Sequence, residues 1–92
     1  MITRITATRR FEKDLRRLPA VIQEKVASWV FLVEEVGIHE VAKRPGFHDD
    51  EPLKGQRAGQ RSVRLSRAYR LIYRVILDRV HIELLEVNKH EY

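Results

Sequence analysis

Between Glu51 and Val75 the chain reads EPLKGQRAGQRSVRLSRAYRLIYRV, and it carries Lys54, Arg57, Arg61, Arg64, Arg67, Arg70 and Arg74. A basic, glycine-containing loop there leads into two strands with arginines on one face. Guanidinium groups at this density on a small sheet suit phosphate, because each fork donates paired hydrogen bonds to phosphate oxygens. The last residues, VNKHEY, add groups that move protons. A histidine such as His90 donates a proton near neutral pH without a large shift, and a phosphate beside it favours the charged, acid form. Glu51 and His48 are proton acceptors near the other end of the stretch. Lys54 follows Glu51 by three residues, placed to bind phosphate or to lower a neighbour's pKa. These residue types describe a phosphate cradle for RNA with proton-transfer groups brought to it. Asp49, Asp50 and Glu51 in succession also read as an ordinary solvated loop.

The composition narrows the classes. With 92 residues there is room for one domain over 1–92, and a hydrophobic share of 43% supplies one modest core. The net charge of +5 and a pI near 10.0 favour a polyanionic partner: nucleic acid, an acidic protein, or both in turn. There is no cysteine, so disulfides and thiolate metal sites are excluded. Four histidines without short spacing give no metal-binding pattern, and no metal or other cofactor is expected. His39 and His81 read as structural or surface residues. No phosphate loop of the Walker type and no serine nucleophile elbow is present. The start, MITRITATRRF, has no apolar run long enough for a signal peptide or a membrane span, so a cytoplasmic protein without membrane contact is expected.

The elements that must position these residues follow from periodicity. Residues 2–6, ITRIT, predict a short strand. Phe11, Leu15 and Leu18 recur at helical spacing behind Thr8, a suitable N-cap. The outer face of that helix carries Arg9, Arg10, Lys13, Arg16 and Arg17, either as a solvated face or as a second nucleic-acid contact. Pro19 ends it and opens a second helix over Ala20–Val36, stopped by Gly37. Trp29 lies inside its apolar stripe and is expected in the core. Ile38 to Lys43 reads as one more helical turn, and PGFHDDEPLKGQRAGQ as a loop. Three strands finish the chain. Ser62–Ser66 has Val63 and Leu65 facing in and Ser62, Arg64 and Ser66 facing out. Tyr69–Leu77 alternates apolar residues with Arg70, Ile72, Arg74 and Ile76, and Val80–Val87 follows a tight Asp78-Arg79 turn. The class is α+β: an N-terminal strand, a helix hairpin, then a three-stranded antiparallel meander, with the first strand added at the sheet edge.

With EPLKG, RSVRLSRAYRLIYRV and VNKHEY in this order behind a helix hairpin, the chain resembles the RelE/ParE superfamily of toxins from toxin–antitoxin pairs. It is most similar to the RelE/YoeB branch of ribosome-dependent mRNA endonucleases. The resemblance spans nearly the whole chain and is carried most by YRLIY, the basic strand before it, and PLKG. It implies metal-free cleavage, in which a base takes the proton of a ribose 2′-OH, that oxygen attacks the adjacent phosphate, and an acid protonates the leaving 5′-oxygen. It implies that Arg70 binds the scissile phosphate and that Arg64, on the neighbouring strand, shares it. Glu51 falls where such members have their general base. His90 falls where relatives carry a histidine or an arginine. Tyr92 resembles a C-terminal aromatic that stacks on a base or orients the phosphate. Lys54, Arg61 and Lys89 are expected as further substrate contacts.

Three functions compete at this stage. One is the endonuclease, which inhibits translation by cutting mRNA on the ribosome. The second is the ParE-like branch, which inhibits DNA gyrase and has no need of Glu51, Arg64, Arg70 and His90. The third is a basic RNA-binding protein without chemistry. Either toxin reading implies an acidic, partly disordered cognate antitoxin, with operator DNA bound only through that antitoxin.

Overall fold

The computed structural model describes residues 3–44, 47–77 and 81–89. In chain order the elements are β1 (Arg4–Ala7), α1 (Arg9–Arg16), α2 (Ala20–Val36), α3 (Ile38–Val41), β2 (His48–Pro52), a single 3-10 turn (Gly55–Arg57), β3 (Arg61–Arg64), β4 (Tyr69–Leu77) and β5 (His81–Lys89). The strands make one sheet in the order β1-β5-β4-β3-β2, with β1 parallel to β5 and the other pairs antiparallel. The expected α+β plan is therefore found, and α2 and β4 have the predicted bounds. One expectation is corrected. The segment around His48 is not wholly loop: His48–Pro52 pairs with β3, so the meander has four strands. The turn expected at Asp78-Arg79 lies outside the described residues.

Thr8 caps α1, its Oγ1 accepting from the Phe11 N–H at 3.1 Å. Gly37 ends α2 at φ +85°, where a Cβ would be strained, and its N–H donates to the Val33 carbonyl at 2.9 Å. The apolar stripes of α1 and α2 meet one face of the sheet. Phe11, Val26, Trp29 and Val33 pack there with Val63, Leu71, Tyr73, Ile82, Leu84 and Val87. Trp29 and Tyr73 are wholly buried, with ring centroids 5.1 Å apart and planes tilted by 52°. Trp29 is a core residue, as its place in the stripe predicts.

Both edges of the sheet need an account, because unpaired strand edges expose backbone donors and acceptors. On β5, β1 pairs with only the first half, His81 to Leu84. Further along, Leu85 is an extra residue opposite β4, and α1 takes over. The Thr8 N–H donates to the Leu84 carbonyl (3.0 Å), and its hydroxyl donates to the Leu85 carbonyl (2.8 Å). The Asp14 carboxylate accepts from the Val87 N–H at 3.3 Å and also takes the Arg10 guanidinium. Thr8 thus caps a helix and closes a strand edge at once.

The opposite edge is β2, and it is held largely by one side chain. The Asp50 side chain is only 3% exposed. Its carboxylate accepts from Arg61 Nε at 2.8 Å and from the Tyr73 hydroxyl at 2.5 Å, while Arg61 Nη2 reaches the Asp50 carbonyl at 3.3 Å. Burial first, then the Asp50 hydrogen bond, hold the Tyr73 phenol far above its ordinary 10.0, with Arg61 pulling weakly the other way. Burial would lower the Arg61 guanidinium, but the hydrogen bond and charge of Asp50 outweigh it and the net direction is up.

Two predictions follow from these edges. Thr8→Ala removes the cap and the strand-edge bond together, and should lower stability by about 1–2 kcal/mol in urea unfolding. Tyr73→Phe leaves the Asp50 carboxylate with one partner fewer and should cost about 1–3 kcal/mol. Because the folded-state value of this phenol is raised, its stabilisation is complete below the unfolded value and is lost as pH climbs above about 10. In an absorbance titration, one of the three tyrosines should therefore ionise only with alkaline unfolding, and Tyr73→Phe should remove that step.

Candidate phosphate site on the open face

Register decides which side chains share a face. Val63 pairs with Leu71 and Leu71 with Val87, and all three are core. The alternate positions therefore lie on the face away from the helices. Two rows cross it. One runs Glu51, Ser62, Ile72, Glu86; the next runs Arg64, Arg70, Asn88.

The second row sets Arg64 directly opposite Arg70, with Cβ atoms about 5 Å apart by ordinary antiparallel geometry. A tight turn enforces this. The Leu65 N–H donates to the Tyr69 carbonyl at 2.9 Å, and Ser66 Oγ accepts from the Ala68 and Tyr69 N–H groups at 3.3 Å each. Arg64 is exposed and Arg70 half-buried. Arg70 Nε is buried and has no hydrogen-bond partner among the described residues. A buried guanidinium donor without an acceptor is costly, and an acceptor brought to Arg70 relieves that cost.

The first row forms the wall of this site. Ile72 is wholly buried although its register puts it on the open face, and it lies outside the helix-side core. The loop after β2 accounts for the cover. From its 3-10 turn, Arg57 reaches across to Glu86 at 2.9 Å and also donates to Gln60 Oε1 at 2.9 Å. Glu86 in turn accepts from Asn88 Nδ2 at 2.7 Å. Asn88, opposite Arg70, was not singled out by sequence reasoning; only its register position identifies it. Lys54 is exposed at the start of the same loop.

Glu51 stands exposed at the β2 end of the first row, opposite Ser62. A bulge puts it there. His48 pairs with Arg64 but Glu51 with Ser62, so β2 has one residue more than β3 between them. Without that extra residue, alternation would send Glu51 to the helix side and Asp50 to the open face.

The structure places two expected substrate contacts, Arg61 and Lys89, away from the Arg64/Arg70 row. Arg61 pairs with Tyr73 on the helix side, where Asp50 holds its guanidinium. It is a structural cation, not part of the open face. Lys89 pairs with Tyr69, which packs against the helix-side core, so register separates it from Arg70. Arg74, also on the open face, is bound to Glu83 at 2.7 Å. Ser62 was expected to face solvent but is buried in the first row. The structure thus groups Arg64 and Arg70 with Glu51 at the margin. His90 and Tyr92 lie outside the described residues. His81, at the start of β5, meets Thr6 Oγ1 at 2.8 Å through its Nε2.

No protein-family model matches the chain, and no curated protein does. Solved structures do match. The YoeB/ParE toxin from Agrobacterium tumefaciens aligns with 97% of this chain and 100% of its own, with a TM-score of 0.74 and 24% identity. The RelBE2 toxin–antitoxin complex of Mycobacterium tuberculosis gives 98% and 100%, with a TM-score of 0.71 and 23% identity. The intact RelBE toxin–antitoxin complex of E. coli gives 98% and 99%, with a TM-score of 0.66 and 25% identity. The likeness takes in nearly the whole chain, and this chain has the fold of the RelE/ParE toxin superfamily.

Proposed function

We propose that this protein is the toxin of a toxin–antitoxin pair and that it cuts mRNA on the ribosome as a metal-free endoribonuclease. The observation that carries this reading is the Arg70 guanidinium, set opposite Arg64, with its Nε buried and unpartnered among the described residues. A pair of cations placed this way fits the non-bridging oxygens of one phosphodiester. Solved structures of the same fold include toxin–antitoxin complexes, which supports the partner as well as the class.

In the reaction proposed, Glu51 accepts the proton of a ribose 2′-OH. The 2′-oxygen bonds to the adjacent phosphorus while the bond to the 5′-oxygen breaks. His90 gives its proton to that leaving oxygen. The products are a 2′,3′-cyclic phosphate and a 5′-hydroxyl. Arg70 and Arg64 bear the charge that builds on the phosphorane-like state, and preorganised donors of this kind supply much of the rate. Lys54 adds positive potential from the loop. Tyr92 stacks on a base or orients the phosphate. The ribosome supplies substrate orientation, so the free protein can be a weak nuclease with a complete site.

Expression of the chain should arrest translation and leave mRNA fragments ending in a 2′,3′-cyclic phosphate. Arg70→Ala should lower single-turnover cleavage on programmed ribosomes by about 10²–10³-fold with an unchanged circular dichroism spectrum. Arg70→Lys should recover only part, because an ammonium cannot fork. Continued translation with induced DNA damage would instead assign the chain to gyrase inhibition, and an active Arg70→Ala would remove the proposed site.

An acidic antitoxin segment that folds over the basic face is the partner this reading requires, and operator DNA is reached only through it. The purified complex should fail to cleave ribosome-bound mRNA, and the toxin released from it should regain activity. Equal cleavage by both would contradict the partner's inhibitory role.

A further inference from the structure

β2 is a five-residue edge strand with a bulge inside it, and its sequence HDDEP has little strand propensity of its own. Only three register pairs join it to β3. Nevertheless it must present Glu51 toward the row that holds Arg64 and Arg70. The residue that fixes it is the one immediately before Glu51. Asp50 turns inward at the bulge, and Arg61 clasps both its carboxylate and its carbonyl. Tyr73 meets the same carboxylate from β4, with its ring locked against Trp29. The anchor on the helix side and the carboxylate on the open side are thus adjacent links of one chain.

We propose that Asp50, Arg61 and Tyr73 are positioning residues for Glu51, holding the β2 bulge so that Glu51 stays on the same face of the sheet as the adjoining Arg64/Arg70 row. The inference rests on the endonuclease reading above, in which Glu51 accepts the 2′-hydroxyl proton. It explains why a carboxylate and a guanidinium are committed to the underside of an edge strand. A loosened anchor lets β2 slip or flatten, and alternation then turns Glu51 away from the phosphate. A base displaced by about 1 Å can cost about a hundredfold in rate.

The test is single-turnover cleavage on programmed ribosomes with the full chain. Tyr73→Phe keeps the ring against Trp29 and deletes only the hydroxyl. Arg61→Lys keeps the charge and deletes the fork, at a more exposed position that tolerates change. Each should lower the rate constant at saturating ribosomes by about tenfold to a hundredfold, with half-saturation changed less than about threefold. In a Glu51→Gln background the same two substitutions should have almost no further effect, because they act through the group already removed. Backbone amides of Asp50 and Glu51 should exchange faster in both variants. A full cleavage rate in Tyr73→Phe and Arg61→Lys overturns the inference. So does a loss that multiplies with that of Glu51→Gln, which would mark general destabilisation. If Arg70→Ala and Glu51→Gln themselves cleave normally, the endonuclease reading fails first, and the two failures are told apart.

Discussion

The structure depends on one register, that of β3 against β4. A short turn closed by Ser66 sets it, and through it Arg64 and Arg70 face each other across the sheet. The same register sends Val63, Leu71 and Tyr73 to the helix side, where α2 covers them around Trp29. A slip of one residue would exchange the faces, burying guanidinium groups under α2 and exposing the core. The apolar core and the cationic row are therefore two consequences of one pairing.

Not every arginine in the basic stretch serves that row. Arg57, Arg61 and Arg74 each hold a carboxylate of the same chain: Glu86, Asp50 and Glu83. These pairs do mechanical work. Arg57 ties the loop after β2 across Ile72, Arg61 ties β2 to the core, and Arg74 joins β4 to β5. Arg70 differs, since its Nε is buried and unpartnered among the described residues. Charge density alone suggested one broad cradle. The pairing pattern divides it into a scaffold and a site.

Much of this was legible in the sequence, and the remainder was hidden for physical reasons. Helical spacing from Val21 to Val36 and the stop at Gly37 gave α2, and strict alternation from Tyr69 gave β4. Alternation also placed Arg64 and Arg70 together. The same alternation puts Arg61 with Val63 and Lys89 with Val87, on the helix side; their charge argued for substrate contact, and register overrode it. β2 could not be seen in HDDEP, because no local preference makes those residues a strand. Pairing with β3 and the inward Asp50 bonds create it. Which of three consecutive acids goes inside is decided by a bulge, a feature that periodicity cannot reveal. The groups proposed for the acid and the stacking ring, His90 and Tyr92, are placed by resemblance and not by geometry.

The central claim is that a phosphodiester completes the hydrogen bonding of Arg70. It is tested most directly by following the Arg70 Nε–H resonance during titration with a short RNA whose 2′-hydroxyls are methylated, so that it binds without reacting. The account predicts a saturable shift of that resonance and slower exchange of its proton, with Arg61 Nε–H unmoved in its Asp50 pair. A shift at Arg61 with none at Arg70, or no shift at either while the RNA binds, would contradict it.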